Sequence, residues 1–224
     1  EDAWQVDGKV TSTTFALAPW LPSSKMSLQT VALDFTARPD GIRVNGQLAV
    51  PELDRAPVLI DASGRYADRT LSIADARITQ PGSALRIALA GEATFAGGPP
   101  SLDLTTTWQS LQWPLSATSP AVRSPAGRLA VSGASPYQFT ANAGLVTPQL
   151  PAATAAVTGS IARDELQIAS YQLDLLDGRI SGAGSVGLAA PQRWTLSATG
   201  DDVNPAPLDA RLPGRIDFTA TATG

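Results

Sequence analysis

Apolar side chains recur at every second position along most of this chain. In the first half the runs are Ile42-x-Val44, Leu48-x-Val50, Leu71-x-Ile73, Leu85-x-Ile87-x-Leu89 and Leu102-x-Leu104. The second half continues with Leu129-x-Val131, Tyr137-x-Phe139, Leu166-x-Ile168, Leu173-x-Leu175, Val186-x-Leu188, Trp194-x-Leu196 and Ile216-x-Phe218. The residues between them are largely Thr, Ser, Arg, Gln and Asp. Residues i and i+2 of a strand share a face, so the pattern predicts sheet with one apolar and one wet side. No segment of ten or more residues holds the i, i+3, i+4, i+7 spacing of an amphipathic helix. Asp7-Gly8, Asp40-Gly41, Pro81-Gly82, Asp177-Gly178 and Pro213-Gly214 read as turns between strands. The expectation is an all-β, mostly antiparallel chain of about 20 strands, which at ~4.8 Å per strand would stack into a rod.

The runs also repeat. Ala62-x-Gly64 followed by Leu71-x-Ile73 matches Val157-x-Gly159 followed by Leu166-x-Ile168 at a constant offset of 95. Leu102-x-Leu104 matches Trp194-x-Leu196 at 92, and Trp4-x-Val6 reads as an earlier copy. A proline-bearing corner follows in each copy: Leu17 to Leu21, Leu111 to Leu115, and Val203 to Leu208. Phased at Pro57, the chain divides into a partial unit (1–56), a complete unit (57–151) and a second partial unit (152–224). Long β-repeats of this kind stack along one axis, each unit touching mainly its neighbours.

Composition narrows the function. The 224 residues include no Cys and no His, which removes disulfides, thiolate nucleophiles, Ser-His-Asp triads and His- or Cys-ligated metals. A net charge of −4 with cations scattered singly argues against nucleic acid. Asp201-Asp202 and Asp164-Glu165 are adjacent carboxylates, which a strand points to opposite faces. Asp201, Asp202 and Asn204 lack EF-hand spacing, so no metal and no cofactor is expected. Nothing approaches 18 consecutive apolar residues, so no transmembrane helix is expected. A transmembrane barrel needs aromatic girdles, and the 13 aromatic residues are not placed at strand ends. The chain opens on Glu1 without Met or a basic leader and stops within an alternating run, as a piece of something longer would.

At Leu176-Asp177-Gly178-Arg179-Ile180, Gly182-x-Gly184 and Pro191-x-x-Trp194-x-Leu196 the chain resembles the TamB-like branch of the AsmA-like family. Val203-Asn204-Pro205, Leu212-Pro213-Gly214-Arg215-Ile216 and Leu150-Pro151 leading to Gly159 extend the likeness. It is strongest from Pro57 onward. The resemblance implies an elongated curled sheet, a β-taco, with an apolar concave groove. It implies a periplasmic segment of an inner-membrane-anchored protein of Gram-negative bacteria, acting in phospholipid transport to the outer membrane. A TamA-like outer-membrane β-barrel partner would be reached through parts of the parent absent here, since the family's membrane helix and barrel-linked domain are missing.

On that reading the lining is the set of alternating runs named above from Leu71 to Phe218, with Phe95 added, and the ligand is phospholipid. No covalent step is involved, so the chain is expected not to be an enzyme. Two alternatives stand beside it. The same groove or its edge strands suits assembly of outer-membrane proteins, and alternation with an apolar inner face is also what a closed β-sandwich shows. Trp4, Trp108, Trp113 and Trp194 read first as core or rim residues.

Overall fold

The computed structural model describes residues 4–16, 27–51, 54–162, 164–188 and 192–224. These form fourteen strands. The first seven are β1 (Val6–Ala16), β2 (Ser27–Arg38), β3 (Gly41–Val50), β4 (Asp54–Ala67), β5 (Thr70–Thr79), β6 (Arg86–Thr94) and β7 (Ser101–Trp113). The rest are β8 (Val122–Gly133), β9 (Tyr137–Leu145), β10 (Ala153–Ile161), β11 (Glu165–Leu175), β12 (Gly178–Gly187), β13 (Trp194–Val203) and β14 (Ile216–Thr223). Each strand pairs antiparallel with the next in a single sheet, and β1 does not meet β14. The sheet is one unclosed, curled layer with no helix among the described residues. It has fewer strands than the about 20 expected, because runs that read as separate strands join into strands of up to 14 residues. At ~4.8 Å per strand the sheet measures about 62 Å along its stacking direction.

A closed sandwich is not what forms. The accessible surface is 14,057 Å², against about 9,700 Å² for a compact monomer of this mass. Among the described residues only Val31, Ala49, Ala76, Leu85, Ala93, Leu175, Leu176 and Val203 make a buried apolar core, and no large side chain is sealed completely. Most apolar side chains are half-buried, as one layer leaves them.

Several β-bulges bend the layer, in β2, β5, β11 and β13, and those in β5 and β11 correspond. Gly64 pairs with Ile73 but Ser63 with Asp75, leaving Ala74 extra. Gly159 pairs with Ile168 but Thr158 with Ser170, leaving Ala169 extra, 95 positions later. A bulge increases twist and shifts the alternation by one residue. Without it Asp75 and Ser170 would point to the apolar side; with it Ala76 and Tyr171 do. At Gly91, φ is 135° and the Asp103 carbonyl oxygen fills the space a Cβ would need, so only glycine fits.

The predicted turns hold with one exception. Leu176 and Asp177, at φ 54° and 56°, form the two-residue turn into Gly178, and Asp68 and Arg69 form another at 50° and 61°. Asp7-Gly8 is not a turn: both residues lie inside β1, where Gly8 pairs with Phe35. The corner expected at Leu17 to Leu21 lies outside the described residues.

Candidate functional site: an open apolar face

Directly paired residues of antiparallel strands share a face, so the register traces rows across the sheet. From Leu104 one row passes through Val131, Phe139, Gly159, Ile168, Gly184, Leu196 and Ala222. In the other direction it passes through Gly91, Ile73, Gly64, Ile42, Ala37 and Val6. A second row joins Phe35, Val44, Ala62, Ala76 and Leu89 to Thr106, Leu129, Ala141, Val157 and Tyr171. A third joins Val10, Leu33, Ile60, Ile78, Ile87 and Trp108 to Ala143, Ala155, Leu173, Ile180 and Phe218, with glycines between. All three rows cross all fourteen strands. Only Thr106 and the hydroxyl of Tyr171 interrupt them, and that hydroxyl donates to the Ser197 carbonyl at 2.9 Å.

The opposite face is polar. One of its rows reads Lys9, Asp34, Asn45, Asp61, Arg77, Ala88, Thr107, Arg128, Asn142. Among the alanines of β5 to β8, Ala76 and Ala93 on the apolar face are buried, while Ala88, Ala90 and Ala126 on the other are exposed. Ion pairs such as Lys9–Asp34 (3.8 Å) and Arg179–Asp174 (2.7 Å) also lie outside. The Arg179 guanidinium and the Gln172 amide hold the Asp174 carboxyl below its ordinary value. The Thr36 hydroxyl and the Gln5 amide do the same for Asp7. Among the described residues no group of three acidic side chains could hold a metal ion. A twisted sheet is saddle-shaped, and shallow hollows accordingly mark the polar face too, one of about 560 Å³ over Arg77, Arg86 and Gln109.

Every expected lining residue that lies within a strand sits on or continues the apolar rows. Leu71, Leu102, Tyr137, Leu166, Val186 and Trp194 form a fourth, rim-side row. Leu85, Phe95 and Leu188 lie just outside strands; Leu85 is 3% exposed, the other two are open at 43% and 41%. Leu175 is buried with Leu176 and Val203 in a small core at one rim. Contrary to the expectation that aromatic residues avoid strand ends, Trp4, Trp113 and Trp194 are exposed near them, whereas Trp108 lies in the middle of the face, its indole N–H donating to Ser124 Oγ at 2.8 Å. Sequence reasoning carried the run of Leu102 and Leu104 on to Trp108 but missed Ile60, Ile78, Val157, Tyr171 and Ile180 as parts of the same face. The phase change from Leu71-x-Ile73 to Ala76-x-Ile78 was the available signal for Ile78.

Comparison with known proteins gives one match: residues 22–224 fit the family model described as TamB, N-terminal domain. No curated protein and no solved structure matches the chain.

Proposed function

The chain belongs to the TamB family, and from that premise we propose that its apolar face holds phospholipid acyl chains in transit between inner and outer membrane. The family is a non-enzymatic, periplasmic and membrane-associated component of outer-membrane assembly or lipid transport, and it works with an outer-membrane partner. The observation that carries the lipid reading is the continuity of the three rows. Exposing acyl chain to water costs about 0.8 kcal/mol per CH₂, so a lipid of roughly 30 such groups would desorb freely at a cost on the order of 24 kcal/mol. A trough three or four rows wide, at ~6.7 Å between rows, covers tails along its whole length while the headgroup stays in water. Branched and small linings impose little shape selection, which suits tails of varied length. The chain supplies the track; direction comes from elsewhere. In the parent, anchorage in the inner membrane and a TamA-like barrel partner would supply the two ends of the route.

A second reading uses the same face or the strand edges to hold outer-membrane proteins. The outer edges of β1 and β14 pair with no described strand, which is the geometry of β-augmentation. Photo-crosslinking in the full-length parent in Gram-negative cells separates the readings. Crosslinkers at Leu104 and Leu196, which share a row, should give phospholipid adducts, and those at Thr105 and Thr195, on the polar face, should not. Protein adducts at the two leucines would replace the lipid reading with the assembly one. Equal labelling at all four positions would overturn both.

A further inference from the structure

Aromatic side chains on the apolar face are seated opposite glycines. Gly8 pairs with Phe35 across β1 and β2, Trp108 with Gly127 across β7 and β8, and Gly200 with Phe218 across β13 and β14. In each pair the ring occupies the space where a Cβ on the glycine would stand. None of the three glycines has a positive φ, so backbone conformation does not require them. What requires them is the ring, which lies flat over the neighbouring strand. Phe139 also faces Gly159 across β9 and β10, with its ring 2.8 Å from where a Cβ would stand, but there the Gln167 carbonyl oxygen is nearer than the ring.

The order of the two residues is not fixed. In β1/β2 and β13/β14 the glycine is on the first strand and the ring on the second; in β7/β8 they are exchanged. The three pairs are spaced by 100 and 92 positions on their first strands and by 92 and 91 on their second. A requirement for a particular contact would fix which strand bears the ring. A requirement for one flat ring and one vacancy would not. Cross-strand aromatic–glycine pairing also stabilises sheets, but stability alone would be served equally by a leucine–valine pair.

Resting on the lipid reading above, we propose that these rings are floor plates that set the depth of the groove, and that the glycines opposite them are specificity-determining because they let the rings lie down. At β7/β8 the plate is Trp108, held by its hydrogen bond to the buried Ser124. A methyl group at residue 127 forces that indole upright into the path of a tail.

The test uses the 224-residue chain and a photoreactive C16 fatty-acid analogue, with binding read by titration and adducts mapped by mass spectrometry. Gly127→Ala should weaken binding about tenfold, the equivalent of about two displaced methylenes, and remove adducts near Leu129. Adding Trp108→Ala to that variant should restore both, since the obstructing ring is gone. The exchange Trp108→Gly with Gly127→Phe, which copies the order at Gly200 and Phe218, should fold and bind as the wild type does. It keeps the proposal open to test even where Gly127→Ala fails to fold. Unchanged binding by a folded Gly127→Ala, failure of Trp108→Ala to restore it, or loss of binding in the exchange variant would each overturn the floor-plate inference while leaving the lipid reading standing. A wild type that does not bind the probe overturns both.

Discussion

Heat unfolding of this chain should show an unusually small heat-capacity change. By the usual scaling, the unfolded chain exposes about 33,500 Å² and a compact monomer of this mass about 9,700 Å². The folded sheet still exposes 14,057 Å². Folding therefore buries about 4,400 Å² less than it would in a globule of equal mass. Apolar exposure raises the heat capacity by about 0.45 cal/mol/K per Å² and polar exposure lowers it by about 0.26. With the extra exposed surface about three-fifths apolar, the shortfall is about 0.7 kcal/mol/K; with that surface wholly apolar it is about 2. An ordinary domain of this length has about 3 kcal/mol/K. Differential scanning calorimetry at several pH values, plotting enthalpy against midpoint, should give about 2.3 kcal/mol/K or less. A single-chain lipid at a hundred times its dissociation constant should add about 2.7 kcal/mol of stability. A slope near 3 kcal/mol/K without lipid would mean that the apolar face is closed in solution, and the groove argument would fail with it.

Small-angle scattering should give a radius of gyration of about 20 Å rather than the ~17 Å of a compact chain, and the compact value would refute the single layer. Gly91→Ala should cost about 3 kcal/mol or more in urea unfolding, because its φ of 135° is strained and the Asp103 carbonyl stands in the way. Gly82→Ala, at φ 74° with open space around it, should cost only about 1; equal costs would show that the close approach to β7 carries nothing. The carboxyls of Asp7, Asp174 and Asp209 are all held below their ordinary values, Asp209 by Arg211. Their stabilisation is present above the ordinary carboxylate range and is lost as pH falls through the lowered values. With no His in the chain, the unfolding midpoint should be level from pH 6 to 8 and drop only below about pH 4; a step near pH 6.5 would contradict this assignment.

The alternation was legible because strand geometry writes it directly into the order of residues, and it placed Leu104 and Leu196 on the same face as the structure does. Where alternation slips by one residue it is silent about the reason. Leu166-x-Ile168 and Leu173-x-Leu175 are out of phase with one another, and only the bulge at Ala169 lets both face inward. Glycine was the other blind spot. Asp7-Gly8 has the composition of a turn, but Gly8 serves Phe35, 27 positions away along the chain. No local reading separates a glycine needed for a turn from one needed by a ring on the next strand. Openness could not be read either, since alternation fixes sides and says nothing about whether a second layer covers them.

The small residues along the rows then have an explanation. A closed core is best filled by large branched side chains that interlock across two layers. A face that must stay open has no opposing layer to interlock with, and every large upright side chain would protrude into the track. The rows answer this by alternating Leu, Ile and Phe with Gly and Ala: Phe139, Gly159, Ile168, Gly184 and Leu196 succeed one another across five strands. The large members can lean over their small neighbours, which keeps the surface apolar and low at once. The sheet extends that profile without a seam, because each strand pairs with the next on the same side across all fourteen. For a tail lying across it, moving on by one strand exchanges one set of apolar contacts for an equivalent set, so the free energy of the bound lipid hardly changes with position. A level track of this kind allows movement without a motor in the groove itself, and it is why the chemistry-poor composition of the chain suits the function proposed for it.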